Sequence, residues 1–346
     1  MGGLSRKSVI VNNYRKEKGF EPIIIDAGDA FFASSVLAAN NVEADKLQAK
    51  ALMEGYEKIG CDALNIGSFD LATGIDFVHT LKEEVSFPFI SANLTDASDQ
   101  LLFPPYTIVE KNGFKIGITG VTNQIPGHIT DIKKRPYKEA GNSMITELKQ
   151  KVNYVVLLAN IQNIQTKTIA MDFPDADYIF LSHDTKKTRP TSKQAENGPY
   201  VYGSGVQGKY LTVVEMNLKN AVDPLVDIST PKEKLSSMNR RLNKFQKKDP
   251  TKSPEEIYAD KPNVLKLIKD YRQQIDKYEA IMANAVNTTR FTIIPLNKKV
   301  GEDPDLVAFV NETLATCKSL RKEPFKVSKN LVKPKTGPFK KKTTLN

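Results

Sequence analysis

The chain has few of the residue types that mark several common kinds of site. Its 346 residues include two cysteines, three histidines and no tryptophan. Cys61 and Cys317 lie far apart, and no Cys-x-x-Cys pair or Cys/His cluster occurs. This excludes a zinc finger and a covalently attached haem. A disulfide between the two cysteines stays open at this point, although an isolated, buried Cys61 is the simpler interpretation.

Long apolar segments are also missing. No apolar run approaches the ~18 residues that a membrane-spanning helix needs. Residues 1–6 contain no apolar core of the kind found in signal peptides. The sequence therefore predicts no membrane span, and its own residues leave the compartment unknown.

The excess of positive charge belongs to one end of the chain. The net charge is +10, and residues 318–346 hold ten of the lysines and arginines but one acid, Glu323. The remainder is therefore nearly neutral. The same segment has two aromatic residues, Phe325 and Phe339, so it offers few surfaces on which bases could stack. A solvated tail is favoured over nucleic-acid binding.

The first third of the chain alternates between strand and helix patterns. Short apolar runs closed by glycine or polar residues are typical of buried parallel strands. The runs between them carry apolar residues at helical spacing. This rhythm predicts a layered α/β fold with right-handed crossovers. The predicted strands are 21–26, 62–67 and 87–94, and the predicted helices are 44–60 and 74–85.

The middle of the chain adds a hairpin to this pattern. Lys111-Asn112-Gly113 separates two β-rich runs, and Asn-Gly is a strong signal for a tight hairpin turn. A parallel half joined to a half with a hairpin predicts two packed sheets with helices outside. The predicted hairpin strands are 106–110 and 114–121, the later strands are 153–160, 177–182, 199–203 and 210–218, and the helices are 136–151 and 166–172.

The final third is mainly helical and charged. Two helices, 231–247 and 254–285, are expected to pack as a helical hairpin, with Ser253 capping the second. A strand at 291–296 and a helix at 303–317 follow. These changes of character divide the chain into a domain at 1–225, an extension at 229–320 and a basic tail at 321–346 that is expected to be disordered.

Polar residues follow four of the predicted strands. Asp29 follows the first, Ser68-Phe69-Asp70 the second, Asn160 ends a third, and Ser182-His183-Asp184-Thr185 ends a fourth. The carboxyl ends of parallel strands share one edge of a sheet, where α/β folds place ligand sites. We expect these residues to converge on one site.

These segments carry a family resemblance. Their order resembles the catalytic domain of bacterial 5'-nucleotidases, which are calcineurin-like metallophosphoesterases. The resemblance covers about residues 2–218 and implies a four-layer α/β/β/α sandwich. The segments that carry it are 2–6, 26–32, 67–70, 87–93, 113–122 and 205–211.

The resemblance also implies a site for two divalent ions of the Mn, Zn or Mg class, which activate a water molecule for attack on phosphorus. The family takes its ligands from a D-x-H strand that precedes 2–6 and from the four strand ends. Asp29 matches the bridging aspartate and His183 matches the first histidine of a G-H-x-H motif. These two residues are the candidate metal ligands.

The other ligand positions depart from the family pattern. Ser68 stands where the family has asparagine, and Phe69 stands where it has the catalytic histidine. Asn160 and Thr185 occupy two further histidine positions. The sequence begins without the D-x-H strand, which indicates a fragment or an upstream partner chain that contributes this strand. Two-metal sites need several strong ligands, so no catalytic residue is assigned and no cofactor is expected.

Two functions follow from this comparison. The first is a degenerate, non-catalytic 5'-nucleotidase-like protein that serves as a binding or scaffold module. The alternative is a metal-dependent phosphohydrolase acting on nucleotide monoesters, with an incomplete or partner-completed site. The resemblance further implies an exported protein, although no signal peptide is recognisable. The partners and the ligand stay unknown.

Overall fold

A computed structural model describes residues 3–162, 166–183, 187–205 and 208–321. Thr185 and the tail from residue 322 onward lie outside the described residues. The helices are α1 (Leu4–Lys18), α2 (Val42–Ile59), α3 (Ile75–Glu83), α4 (Tyr137–Lys149), α5 (Thr166–Asp172), α6 (Ser229–Gln246), α7 (Pro254–Ile257), α8 (Pro262–Asn284) and α9 (Pro304–Leu320).

The strands of the described residues form four sheets. They are β1 (Ile25–Asp26), β2 (Ala63–Asn65), β3 (Phe89–Ile90), β4 (Leu94–Thr95), β5 (Tyr106–Lys111), β6 (Phe114–Thr122), β7 (Lys133–Lys134), β8 (Tyr154–Asn160), β9 (Tyr178–Ser182), β10 (Tyr200–Gly203), β11 (Tyr210–Asn217), β12 (Leu225–Asp227) and β13 (Asn287–Pro295).

The strand order separates a mainly parallel sheet from two smaller ones. The largest sheet has the order β10-β9-β8-β6-β5, parallel except for β5. The strands β1-β2-β3 form a short parallel sheet, and β11-β13-β12 form a mixed one. β4 and β7 make a separate antiparallel pair.

Alternating side chains on β8 show how the layers are stacked. Val155, Leu157 and Ala159 pack against α4 and α5. Val156 and Leu158 point to the other face, where they meet apolar residues of the smaller sheets. A third apolar cluster joins β2 and β3 to α2, α3 and α9. The layers are thus α/β/β/α, which confirms the fold class expected from the sequence.

The hairpin prediction is confirmed. β5 and β6 pair antiparallel up to Lys111 and Phe114. Asn112 and Gly113 between them have φ values of 53° and 78°. Two successive positive φ angles define the type I′ turn, whose twist matches that of the flanking strands.

Four strand predictions were wrong in their limits. The strands predicted at 21–26 and 62–67 are reduced to β1 and β2. The strand predicted at 87–94 is split into β3 and β4, because the Ser91 hydroxyl accepts the backbone N–H groups of Asn93 and Leu94 and turns the chain. The strand predicted at 291–296 begins four residues earlier, at Asn287, where it pairs with β12.

The long helix predicted at 254–285 was also wrong. It is interrupted between α7 and α8, since Pro262 cannot continue a helix and forces Lys261 to a non-helical φ of −123°. The cap is confirmed: Ser253 and Glu256 form a reciprocal capping box. α6 packs on α8, where the Arg241 guanidinium donates to the Tyr271 hydroxyl at 2.8 Å.

The carboxy-terminal elements pack onto the first part of the chain. β13 lies between β11 and β12. The Ser8 hydroxyl of α1 donates to Asp303, the residue that caps α9, at 2.6 Å. The Cys317 thiol of α9 donates to the Ala44 carbonyl of α2. The division into segments at 225 and 229 stays a prediction.

Two expectations from composition are met in the described part of the chain. Cys61 and Cys317 are both buried and both free, so they do not form a disulfide. None of the helices in the described ranges is both long enough and apolar enough to cross a membrane.

Candidate functional site at the strand ends

The four strand ends converge as the sequence predicts. Asp29 lies in the loop after β1, and Ser68 and Phe69 lie in the loop after β2. Asn160 ends β8, and His183 directly follows β9. Hydrogen bonds join these loops across the two facing sheets. Thr185 lies outside the described residues.

Asp29 and His183 form a direct pair at the centre of the site. The imidazole Nδ1 of His183 hydrogen-bonds to the carboxylate Oδ2 of Asp29. Both side chains are 10% exposed. Both residues have left-handed backbones, with φ values of 60° and 62°, a conformation that is strained for most side chains. The turn that holds Asp29 depends on Gly28, whose φ is 102°.

Phe69 lies against this pair. Its backbone N–H donates to the Asp29 Oδ1 at 2.8 Å. Its ring meets the His183 imidazole edge-on, with 4.5 Å between ring centres and an interplanar angle of 70°. The backbone of Phe69 therefore binds the aspartate, while its side chain shields the histidine. A phenyl ring cannot transfer a proton or bind a metal ion.

Asn160 is buried, and both ends of its amide are bonded. Its Oδ1 accepts the backbone N–H of Ser68 at 2.9 Å. Its Nδ2 donates to the Ser182 hydroxyl at 2.8 Å, which in turn donates to the Ala27 carbonyl at 2.7 Å. This chain of bonds ties β8 and β9 to the loops after β1 and β2. Ser68 enters it through its backbone.

Asp70 holds the loops after β1 and β2 together through backbone hydrogen bonds. Its fully buried carboxylate accepts the backbone N–H groups of Asp29, Phe31 and Gly67, each at 2.8 Å. Burial and the nearby negative charge of Asp29 raise the pKa of Asp70 well above its usual value, and the N–H bonds oppose this shift. Asp70 acts through loop geometry, since its oxygens point at the backbone.

Sequence reasoning missed Gln162, and it placed Ser182 at a strand end without giving it a role in the site. Gln162 hydrogen-bonds through Nε2 to the Nε2 of His183, so both imidazole nitrogens have partners. Ser182 bridges Asn160 and Ala27. Ser182 ends β9, as the sequence pattern indicates, but its hydrogen bonds depend on how the strands pack. Nothing in the sequence marks Gln162, because its role depends on how the loop after β8 turns toward β9.

The polar atoms of this site do not fit a two-metal centre. The side-chain oxygens and nitrogens of Asp29, His183 and Asn160 are hydrogen-bonded within the site, to each other, to backbone N–H groups and to the side chains of Gln162 and Ser182. In the described ranges, no group of three or more His, Cys, Asp or Glu side chains is placed to hold a metal ion. Metal ligation by Asp29 or His183 stays a prediction, as does the absence of a cofactor.

The layered fold and its strand-end site define a calcineurin-like phosphoesterase fold. Two solved structures share it over most of this chain. The phosphoesterase YfkN from Bacillus subtilis has a TM-score of 0.60 and 16% identity, covering 92% of this chain and 90% of that one. The sulfate thiohydrolase SoxB from Thermus thermophilus has a TM-score of 0.61 and 13% identity, covering 91% of this chain and 47% of that one.

Sequence comparison specifies the resemblance further, to 5'-nucleotidases. A Vibrio cholerae 5'-nucleotidase is 28% identical over 167 residues, which is 45% of this chain and 29% of that protein. The protein UshA of Yersinia enterocolitica is 21% identical over 328 residues, which is 82% of this chain and 57% of that protein. No protein-family model matches the chain.

The chain resembles the metallophosphoesterase domain of these 5'-nucleotidases, as the sequence predicts. It spans between about a third and somewhat more than half of the length of the curated relatives it matches.

Proposed function

We propose that this chain is a binding or scaffold module built on the 5'-nucleotidase phosphoesterase domain, without phosphohydrolase activity of its own. One observation carries the proposal: the strand-end side chains that would have to bind a metal ion are already hydrogen-bonded within the site. Asp29 and His183 pair directly, and Asn160 joins Ser68 to Ser182.

The chemistry of phosphate ester hydrolysis supports the proposal. The reaction needs an activated water molecule and positive charge for the transferring phosphoryl group. Beside the Asp29–His183 pair lies the phenyl ring of Phe69, which contributes neither. If the pair were broken, Asp29 and His183 could serve as two ligands, but Asn160 would add only an amide and Phe69 only a phenyl ring. These groups together would bind a divalent ion weakly.

The alternative function is metal-dependent hydrolysis of nucleotide monoesters by a site that a partner completes. The position of Asp29 and His183 at adjoining strand ends favours it, because that is where ligands would be required. It predicts that a partner brings the remaining acidic and imidazole groups. Export of the protein, which the resemblance implies, stays a prediction as well.

Activity and metal content test the proposal together. The purified chain is incubated with adenosine 5'-monophosphate and with p-nitrophenyl phosphate, in the presence of Mn²⁺, Mg²⁺ or Zn²⁺. We expect no phosphate release above the blank and no stoichiometric metal by elemental analysis. The proposal fails if metal-dependent hydrolysis is found that Asp29→Ala abolishes and the matched exposed-loop variant Asp131→Ala leaves intact.

A further inference from the structure

Positive charge is concentrated in α6 and in the turn that follows it. Residues 229–252 include eight lysines and arginines but two acids, Glu233 and Asp249. Since the chain outside 318–346 is nearly neutral as a whole, the residues outside both segments carry a net negative charge. The charge of this protein is therefore segregated, and α6 is a basic element on an acidic body.

The basic residues of α6 lie on the side that faces away from the protein. Arg240, Lys244 and Lys247 are exposed, and their spacing of four and three positions places them in one row along a helix. Leu242, which is buried, lies on the opposite side of the same turns. Lys248 extends the row into the turn after α6. These four cationic residues are called the basic row below.

The basic row has little negative charge around it. Arg240 lies 4.0 Å from Glu233, in a pair whose side chains are 67% and 51% exposed. In the part of the chain that the structure describes, no carboxylate lies within ion-pair distance of the three lysines of the row. Lys248 lies over the ring of Tyr258, 5.6 Å from its centre. The charge of the row is therefore turned to solvent.

The acids that follow the row in sequence bind other groups. Asp249 pairs with Lys252 at 3.6 Å, and Glu255 pairs with Arg272 at 2.8 Å. Glu256 belongs to the capping box of α7. The turn after α6 therefore does not neutralise the row.

The arrangement of charges on α6 differs from that on other helices of this chain. α2 and α4 place glutamate and lysine four positions apart, at 54–58 and 147–151, and both pairs form ion pairs. α6 places Arg240, Lys244 and Lys248 at the same spacing, where like charges repel and destabilise the helix. The helix dipole favours cations in the last turn, which accounts for Lys244 but not for Arg240, one turn earlier. A bound anionic surface would relieve this repulsion.

We propose that the outward face of α6 is an electrostatic docking surface for a bilayer that contains anionic phospholipid. Clusters of roughly four to eight lysines and arginines are sufficient for attraction to such bilayers, and the basic row meets this size. The row contains no residue of the strand-end site. The inference therefore holds whether or not the chain hydrolyses phosphate esters.

The side chains between the charges favour a lipid surface over a protein partner. Ser236, Asn239 and Asn243 occupy the exposed positions beside the row. Protein interfaces are usually anchored by buried aromatic or large apolar side chains, and this face of α6 presents none. The same lack of large apolar residues predicts that the helix lies on the headgroups without insertion.

The composition of the row favours a lipid surface over a nucleic acid. Three of its four residues are lysines, which are flexible point charges, whereas the rigid fork of arginine is preferred for phosphate and base recognition in nucleic acids. Aromatic platforms for single-stranded bases are also missing from this face. Lipids in a fluid bilayer can move sideways to meet flexible ammonium groups, so a fixed geometry is not required.

Vesicle sedimentation with the full chain tests the proposal. The chain is mixed with vesicles of phosphatidylcholine and phosphatidylglycerol, and in parallel with vesicles of phosphatidylcholine alone. We expect it to sediment with the anionic vesicles and to stay in solution with the neutral ones. Raising the salt concentration from about 0.05 M to about 0.5 M should release it, because salt screens exposed charges.

Two variants of the basic row show whether its charge is responsible. The first replaces all four residues by glutamine (Arg240→Gln, Lys244→Gln, Lys247→Gln and Lys248→Gln). It should lower the affinity for anionic vesicles at least about tenfold, because each cation near an anionic bilayer contributes to the attraction. The second keeps the charge by exchanging lysine and arginine at the same positions, and it should bind within about twofold of the unchanged chain.

A control variant has the same net charge as the glutamine variant but keeps the row. It replaces exposed lysines of α3, β6, β7 and α4 (Lys82→Gln, Lys115→Gln, Lys134→Gln and Lys149→Gln). Its affinity for anionic vesicles should stay within about threefold of the unchanged chain, since these lysines lie on separate elements. All variants keep residues 322–346, and circular dichroism checks that each is folded.

Several results would overturn the proposal. If the full chain sediments with neither kind of vesicle, or equally with both, the surface is not specific for anionic lipid. If the glutamine variant of the row binds like the unchanged chain, the contact lies in another segment, such as the basic tail. An equal loss in the control variant would assign binding to net charge. Row-dependent binding of a duplex oligonucleotide without binding to vesicles would assign the row to nucleic acid.

Discussion

Asp29 and His183 lie 154 positions apart in the chain, yet the imidazole Nδ1 of one hydrogen-bonds to the carboxylate of the other. Asp29 follows Gly28 in the loop after β1, and His183 directly follows β9. Both residues have a left-handed backbone conformation. The pair joins the loop after β1 to the end of β9. It therefore connects the two sheets of the sandwich at the edge where its polar residues are concentrated.

The first prediction concerns the strength of this pair. His183→Gln should lower the free energy of unfolding by about 1–3 kcal/mol, since it removes a partner of a largely buried carboxylate. Urea unfolding measures the change, and a double-mutant cycle with Asp29→Asn isolates the coupling. His79→Gln, at an exposed position on α3, is the control and should change stability by less than about 0.5 kcal/mol. Independent, additive effects would contradict a direct pair.

The second prediction concerns Gly28. A Cβ atom there would lie 2.8 Å from the Asn65 carbonyl oxygen and from the Gly67 nitrogen, at a φ of 102°. Gly28→Ala should cost more than about 3 kcal/mol, because a backbone clash adds to the strain. Gly74→Ala is the control: its φ is 86°, its ψ is 174° and nothing lies within 4 Å, so only backbone strain, of order 1–3 kcal/mol, applies. An equal loss of unfolding free energy in the two variants would show that the structure shifts to relieve the clash at position 28.

The third prediction concerns Phe69, which stands where related phosphoesterases are expected to have a histidine. Phe69→His should not produce metal-dependent phosphatase activity. The side chains of Asp29, His183 and Asn160 are engaged in hydrogen bonds within the site. One added imidazole therefore does not provide the several ligands that a two-metal site needs. Phosphate release with Mn²⁺ or Zn²⁺ is the measurement. Turnover by this single variant would contradict the prediction, because it would mean that Asp29, His183 and Asn160 exchange their hydrogen bonds for metal ligation.

The fourth prediction concerns pH and the cap of α9. The hydroxyl of Ser8 and the backbone N–H groups of Leu306 and Asp305 lower the pKa of Asp303. A pKa depressed by folding gives stability that is present above the unfolded value of about 3.9 and is lost as pH falls through the folded value. Asp303→Asn should therefore cost about 0.5–1 kcal/mol at pH 7.

The cost should shrink as the pH falls below 4, because the wild-type carboxylate then becomes protonated. Thermal unfolding of both proteins at pH 7 and at pH 3 gives the comparison. Asp305→Asn, next to the cap on exposed surface, controls for the loss of a charge in the first turn. A difference that stays constant with pH would assign the effect to packing.

The fifth prediction concerns the two thiols. Cys61 and Cys317 are 8% and 1% exposed, and burial with the nearby charge of Asp26 raises the pKa of Cys61. Both thiols should react with a disulfide reagent much more slowly in the folded protein than in urea, because both are buried, and the raised pKa of Cys61 further reduces the thiolate form that reacts. Fast reaction of Cys317 in native buffer would show that the helix pair α2–α9 opens, and fast reaction of Cys61 would show that the chain beside β1 and β2 opens.

Sequence patterns were most informative where local physics decides the structure. Asn112-Gly113 specifies its turn through φ angles that few other residues adopt, and Ser253 with Glu256 specifies a helix start. The start of α8 is set by Pro262, and the apolar periodicity did not reveal this break. Leu265, Ile268 and Ile275 have the same helical spacing whether 254–285 forms one helix or two. Apolar periodicity defines a face and leaves the ends undefined.

The strand-end site was predictable in its location and not in its bonding. Asp29, Ser68, Asn160 and His183 follow apolar strands, so the sequence alone places them at one edge of the fold. Which atoms meet was decided by the tertiary structure, since the hydrogen bonds join residues separated by 92 to 154 positions. Their distances depend on how two sheets and four loops pack together.

The sequence by itself therefore determined the alternation of strands and helices, the hairpin and the positions of the polar strand ends. Only the tertiary structure decided that Asp29 and His183 pair with each other and that Asn160 joins Ser68 to Ser182. The physical reason is the range of the interactions. Turns, caps and amphipathic faces are set by residues a few positions apart, whereas these side-chain pairs result from the packing of layers that are distant in sequence.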